Sequence, residues 1–206
     1  MVSFWHDRTG SMFVEYAIVL PLFISLMLGT VDVAYMLFEW DLANKAAYVG
    51  ARTAVVSSPV AQQITTNLTY NASAGQLCFN PANGSANTDS NGNDYCPTVS
   101  SVCTASGGGS CTNGYTFDST AFATILGNMQ AIFPRLQQQN VRISYQTNGL
   151  GFALQPGGLP MNVTVSITGM THQFFFISSI LSGTISAAPP IPAFSTTMQS
   201  EDMFTN

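Results

Sequence analysis

A run of apolar residues near the N-terminus constrains this chain more than any other feature. Residues 12–31 carry one side chain that is charged at neutral pH, Glu15. As a helix rising about 1.5 Å per residue, a run of this length covers a hydrocarbon core about 30 Å thick. We therefore predict a single transmembrane helix over residues 11–38. The competing interpretation is a cleaved secretory signal, but the run is longer than the apolar segment of such a signal.

The charge composition also favours a membrane or an assembly over a soluble globule. Only 7% of the residues are charged, whereas 46% are hydrophobic. The net charge of −5 comes from five basic and ten acidic residues. So few cations cannot form a basic surface that neutralises a run of phosphates, so we expect no nucleic-acid partner.

Four cysteines indicate the compartment of the rest of the chain. Cys78, Cys96, Cys103 and Cys111 form an even set among Asn, Ser, Thr and Gly residues, which is typical of two disulfides in an oxidising environment. Three pairings are possible, and we favour the sequential one, Cys78 with Cys96 and Cys103 with Cys111. No CxxC pair occurs and no histidine lies close by in the sequence, which argues against zinc, and we expect no metal and no cofactor. The cysteines predict that the chain after the helix lies outside the cytoplasm.

The helical pattern continues beyond the apolar run. Small residues recur at spacings of three and four through residues 39–58, and Pro59 ends the pattern. Such a stripe lets another backbone approach closely. We predict one helix of about 45 residues whose second half packs against a sheet or another helix.

The remaining chain divides into a loop region and a region of regular elements. Residues 60–115 are rich in Asn, Ser, Gly and Thr and predict a disulfide-stapled surface region. Residues 118–133 predict a helix, with Asp118 or Ser119 as its N-cap. Apolar and polar residues alternate over residues 141–145 and 161–168, which predicts half-buried strands, and residues 191–198 are a weaker third candidate. The apolar run 174–181 is too short to span a bilayer, and we expect it to be core or a face that meets a partner.

Together these elements predict an α+β fold. A long N-terminal transmembrane and amphipathic helix would pack on a small antiparallel β-sheet. The expected domains are a leader at residues 1–10, the transmembrane helix at 11–38, its extension at 39–58, and a globular domain at 59–206.

The chain offers little for catalysis. It has two histidines, His6 and His172, and His172 has no acidic neighbour in the sequence. Asp89 opens a run of carboxylates and amides that could ligate calcium, but the run lacks the terminal glutamate of an EF-hand and favours a polar surface turn. We predict that the protein is not an enzyme.

The position of Glu15 suggests a specific family. A carboxylate inside a membrane helix is costly and calls for a partner or a purpose. Gly10, Ser11, Glu15 and Tyr16 together resemble the processing site of type IV prepilin-like proteins, in which a membrane peptidase cuts after the glycine. The spacing of Gly10 from Glu15 and Tyr16 is similar to that of the tight-adherence (Flp) branch.

The resemblance extends to the TadE-like pseudopilins. Residues 14–22 (VEYAIVLPL) resemble the opening of those proteins, and residues 46–54 (AAYVGARTA) resemble their small-residue segment. Residues 198–201 (MQSE) resemble their closing strand, with Gln199 where an arginine is usual. The similarity is dense over residues 8–56, thin in the last 60 and absent from the cysteine region.

This resemblance implies a pilin-like fold and a role as a minor pseudopilin of a tight-adherence pilus or secretion system. The implied partners are a prepilin peptidase, other pseudopilins or pilins, and an assembly platform in the inner membrane. The implied location is the cytoplasmic membrane, with a cytoplasmic N-terminus, a periplasmic or extracellular C-terminal domain, and incorporation into a pilus as a further option. Ser11 and Glu15 would then serve assembly.

Two alternatives remain at this stage. A single-pass anchored adhesin or receptor would bind a ligand through residues 60–115, with Glu15 incidental. An anchored hydrolase would require His172 to lie in a pocket with an acidic partner. Removal of the leader at Gly10 distinguishes the pseudopilin from the adhesin.

Overall fold

The computed structural model describes residues 8–66, 68–156, 158–177 and 189–200. The chain divides into two compact units. The first contains Met1–Trp40 and Thr171–Ile191, and the second contains Asp41–Met170 and Pro192–Asn206.

The long helix predicted from the sequence is present as α1, Arg8–Val56, which has 49 residues. Within the described residues it is the one helix long and apolar enough to cross a membrane, and only 6% of its most apolar window is buried. The core helix of a soluble domain would bury this surface. Both its length and its exposure therefore fit the predicted transmembrane helix.

In the second unit, the stripe of small residues on α1 is buried. Its alanines have no exposed surface: Ala43, Ala46, Ala47, Ala51 and Ala54. A Cβ atom added to Gly50 would lie 2.6 Å from the sulfur of Met129, so glycine is what lets the facing helix come this close. That helix is α2, Ser119–Ile132. The predicted close approach is confirmed.

The start of α2 is fixed by its N-cap. The carboxylate of Asp118 accepts hydrogen bonds from the backbone N–H groups of Thr120 and Ala121, at 2.9 and 3.0 Å. A cap of this kind satisfies donors that have no partner inside the helix. Asp118 is one of the two N-caps predicted from the sequence.

A five-stranded antiparallel sheet forms the centre of the second unit. Its strands are β4 (Ser100–Thr104), β5 (Ser110–Cys111), β7 (Val141–Thr147), β8 (Met161–Ile167) and β9 (Phe194–Gln199). They lie in the order β5-β4-β7-β8-β9. The three predicted strands correspond to β7, β8 and β9. Alternate residues of β7 and β8 are buried, as their period of two requires.

The region between residues 60 and 115 contributes more regular structure than its composition predicts. It supplies β4 and β5 to the main sheet, because β4 pairs with β7 over five residues. Two further two-stranded pairs lie outside the main sheet. They are β1 (Ala61–Gln62) with β6 (Thr116–Phe117), and β2 (Phe79–Asn80) with β3 (Ser85–Ala86).

Both disulfides have the sequential pairing favoured from the sequence. Cys78 is bonded to Cys96, and Cys103 is bonded to Cys111 directly across β4 and β5. The polar run that begins at Asp89 is a turn, in which the Asp89 carboxylate accepts hydrogen bonds from the N–H groups of Asn91 and Asn93, both at 2.8 Å. Closing this turn is the role that the structure gives to Asp89.

One buried side chain joins the segment after α1 to the sheet. The N–H group of Val60 donates a hydrogen bond of 2.9 Å to the hydroxyl oxygen of Tyr145 on β7. The Tyr145 side chain is 1% exposed. Its apolar ring therefore belongs to the core, while its hydroxyl satisfies a backbone donor that water cannot reach.

Candidate functional site

The four residues of the predicted processing site lie at the start of α1. Gly10 and Ser11 have helical backbone conformation, and the side chains of Glu15 and Tyr16 are exposed. Ser11 and Glu15 are four residues apart and therefore lie on the same face, one turn from each other. The arrangement would let a charge at residue 11 meet the Glu15 carboxylate. Cleavage itself stays a prediction.

Farther along the same helix, Asp32 receives three hydrogen bonds from a distant segment of the first unit. Its carboxylate oxygens accept hydrogen bonds from the backbone N–H groups of Phe175, Phe176 and Ile177, at 3.2, 2.8 and 2.8 Å. The side chain is buried. An ionised carboxylate that accepts several backbone N–H groups is strongly stabilised, so a charge that interrupts the apolar sequence is compensated within the chain.

A second buried contact lies seven residues on. The Nδ1 atom of His172 lies 2.5 Å from the Oε2 atom of Glu39, and both side chains are buried. The N–H group of His172 also donates to the carbonyl oxygen of Pro189, at 3.0 Å. Seven residues are about two helical turns, so Asp32 and Glu39 lie on one face of α1 and together hold residues 172–177 along it.

The Glu39–His172 contact bears on the hydrolase alternative. His172 does have the acidic partner that a catalytic histidine needs. However, its side chain has no exposed surface, and the rings of Phe174 and Tyr35 lie 5.0 and 5.9 Å from its own ring. A substrate proton cannot reach a base that is enclosed in this way. The pair therefore holds two segments together and does not present a reactive group.

The described residues provide no cluster that could hold a metal ion, counted as three or more His, Cys, Asp or Glu side chains. Of the two histidines, His6 lies outside the described residues.

The apolar run that follows His172 lies at the surface in its described part. The side chains of Phe175 and Phe176 are exposed, and Phe174 is half-buried. Of the two alternatives left open by the sequence, a face that meets a partner fits these side chains, and core does not. Ile180 and Leu181, which complete the run, lie outside the described residues, as does Glu201 in the closing segment.

The sequence pattern predicted no role for Asp32 or Glu39. Their partners are backbone groups and a histidine more than 130 residues away, which no local pattern predicts. One signal was available: two acidic residues seven apart on one face of an apolar helix require compensation, and His172 is one of few side chains in the chain that can supply it.

The comparison with protein families bears on this helix. Residues 10–52 match the family described as TadE-like protein. The match confirms the resemblance over most of α1 and points to tight-adherence pilus assembly and to membrane anchoring by this helix. A search of the curated proteins finds no match, and neither does a search of the solved structures.

Proposed function

We propose that the protein is a minor pseudopilin of a tight-adherence pilus or secretion system. A prepilin peptidase would cut after Gly10, and the protein would then act in pilus assembly or initiation as a structural subunit. The observation that carries the proposal is the family match, which begins at Gly10 and covers a helix whose apolar surface is exposed. An exposed apolar surface of this extent needs lipid or other helices to cover it.

The proposed location is the cytoplasmic membrane, crossed once by α1. The N-terminus would be cytoplasmic and the second unit periplasmic or extracellular. The two disulfides support this orientation, since such bonds persist outside the reducing cytoplasm. The partners would be the peptidase, other pseudopilins or pilins, and the assembly platform of the membrane.

Glu15 would set the register between subunits. After cleavage, the new Ser11 amine is a positive charge at the positive end of the α1 dipole, and a carboxylate one turn away offsets it. When subunits lie side by side, the Glu15 carboxylate of one can meet the Ser11 amine of its neighbour. The exposed position of Glu15 supports this role.

Cleavage is tested by intact mass and N-terminal sequencing of the membrane-extracted protein, made with and without its prepilin peptidase. We expect a start at Ser11 only when the peptidase is present. Gly10→Leu should stay full length, because a bulky side chain obstructs approach to the scissile bond. Gly29→Ala alters another glycine of α1, and its Cβ would make only an ordinary contact with Ile177, at 4.0 Å, so this variant should be cleaved normally. An uncleaved Met1 start in both samples would refute the proposal.

Assembly is tested separately with Glu15→Gln, which removes the charge and keeps the shape. This variant should be inserted and cleaved but should co-purify less with its partner subunits. The matched control is Asp41→Asn, because Asp41 is an exposed acid of the same helix that pairs with Lys45 at 2.8 Å. Such exposed pairs contribute little. Equal recovery of partners with both variants would count against the role of Glu15.

A second candidate function, an anchored adhesin or ligand-binding protein, is favoured by a surface feature of the second unit. Leu77, Leu150, Phe152 and Leu154 are exposed apolar side chains, and Leu77 forms a backbone bridge with Phe152. Apolar patches of this kind often mark binding sites. An adhesin would keep its leader in the cleavage experiment, and serine substitutions in this patch would reduce binding to the target surface.

A further inference from the structure

The segment that Asp32 and Glu39 hold against α1 presents aromatic side chains to the surroundings. Phe175 is 64% exposed, and its ring lies 5.8 Å from that of Tyr35 in an edge-to-face arrangement. On α1 itself, Tyr35 and Phe38 are also exposed, with their rings 6.5 Å apart, and Trp40 is exposed farther along the helix. Two segments that are far apart in the sequence therefore contribute to one aromatic surface in the first unit.

This surface lies at a particular level of α1. The exposed apolar side chains that begin at Phe13 continue to Phe38, and the next exposed charges along the helix are those of Asp41 and Lys45. Tyr and Trp side chains concentrate where a membrane helix leaves the hydrocarbon and enters the headgroup layer. The aromatic surface is thus continuous with the apolar surface of the helix and marks its end.

The hydrogen bonds of the segment suit lipid as its surroundings. A backbone N–H group without an acceptor is costly wherever water is excluded. Here the Asp32 carboxylate is the acceptor for three backbone N–H groups, those of residues 175, 176 and 177. Both acids that hold the segment are buried, so charge is withdrawn from the surface while the phenylalanine rings remain exposed.

We propose that residues 174–177 form a second lipid contact, separate from the transmembrane helix. Phe175 and Phe176 insert into the boundary between headgroups and acyl chains, on the side where the apolar part of α1 ends. Asp32 and Glu39 act as positioning residues that hold the segment at this depth. The inference rests on the proposed anchoring of α1 in the membrane and adds a contact that fixes how far the helix is inserted.

The test uses single tryptophans in the full chain, reconstituted in phosphatidylcholine vesicles. Trp5→Phe and Trp40→Phe first remove the native tryptophans. Phe175→Trp then reports on the proposed contact, and Leu26→Trp reports on the middle of the apolar helix. Phe152→Trp is the control, because Phe152 is also exposed, at 47%, but belongs to the second unit. Circular dichroism verifies that each variant is folded.

Two quenchers locate each tryptophan: brominated lipids quench from inside the bilayer, and iodide quenches from water. Phe175→Trp should lose emission most with bromines close to the headgroup, and Leu26→Trp with bromines near the chain ends. Phe152→Trp should lose emission to iodide alone.

Several results would overturn the inference. Quenching of Phe175→Trp by iodide alone would place it in water, and quenching by neither agent would mean that protein covers it. Equal lipid quenching of Phe152→Trp would mean that the contact is not specific to the segment. If Leu26→Trp is quenched by lipid and Phe175→Trp is not, the second contact alone fails. If Leu26→Trp is not quenched by lipid, the anchoring of α1 fails as well.

Discussion

Raising the pH should destabilise the second unit through a single buried phenol. Burial raises the pKa of Tyr145 to about 12, from an ordinary value of 10.0, and the hydrogen bond donated by Val60 works in the opposite direction. The neutral phenol is therefore favoured in the folded state. In the unfolded chain, where the ring is hydrated, ionisation occurs at the ordinary pKa.

The difference between the pKa of Tyr145 in the folded and in the unfolded chain sets the sign and size of the loss of stability. The contribution of Tyr145 to stability is complete below pH 10, and it is lost as the pH rises through about 12. At about 1.36 kcal/mol for each pH unit, the difference corresponds to about 3 kcal/mol of unfolding free energy. That is a large fraction of the 5–15 kcal/mol that is typical of domain stability, so the effect is measurable.

The assay is chemical unfolding of the full chain in detergent micelles at a series of pH values, with three proteins compared. Tyr145→Phe should be less stable by about 1–3 kcal/mol at neutral pH, since the N–H group of Val60 loses its acceptor. Above pH 10 it should lose less stability than the wild type. Tyr48→Phe, at a tyrosine that is 51% exposed, should behave as the wild type throughout. If Tyr145→Phe and the wild type lose equal stability between pH 10 and 12, the buried phenol is not responsible.

Three further predictions concern contacts of the helices. Gly50→Ala should cost about 1–3 kcal/mol in thermal unfolding, because its Cβ would lie 2.6 Å from the facing methionine sulfur. Gly127→Ala, whose Cβ would meet no atom within 4 Å, should stabilise by up to about 1 kcal/mol, and equal shifts of both variants would contradict the close packing. Asp118→Ala should cost about 1 kcal/mol at neutral pH through loss of the N-cap. Hydrogen bonds from the backbone, that of Ala121 foremost, lower the pKa of Asp118. The cost of Asp118→Ala should therefore disappear as the pH falls through the lowered value. Urea unfolding at acid pH tests this, and a cost that persists there would contradict the role of the ionised cap. Asp32→Ala should speed hydrogen exchange at the three backbone N–H groups that donate hydrogen bonds to the Asp32 carboxylate, and Asp32→Asn should do so less. Unchanged protection of these groups in both variants would contradict the proposed role of the carboxylate.

The elements predicted from the sequence are those whose pattern is set locally. The apolar run and the small-residue stripe gave α1, the position of Asp118 gave the start of α2, and the period of two gave β7 and β8. In each case the residues that define the pattern are neighbours in the chain, and burial on one face follows from their spacing.

What was missed depends on contacts between distant residues. Strand β4 has the sequence SSVCT, which carries little apolar signal, and it is a strand because β5 and β7 supply partners on both sides. In the same way, Glu39 is compensated by His172, which lies 133 residues away. Such contacts are set by the packed fold, so spacing along the chain could not predict them.

The three acidic residues of α1 that precede Asp41 differ in how the chain treats them. Asp32 and Glu39 are buried, and each has its partner in residues 172–177 of the same chain. Glu15 is exposed, and no salt bridge or hydrogen bond joins its carboxylate to any residue whose side chain the structure describes. A carboxylate near the membrane that lacks compensation is costly, and the described part of the chain compensates two of these three acids and not the third. The residue left open is the one that follows the predicted cleavage site by five positions. A partner from outside the described chain, such as the Ser11 amine of a neighbouring subunit, would complete the pattern, and this is why Glu15→Gln should impair assembly while insertion and folding are preserved.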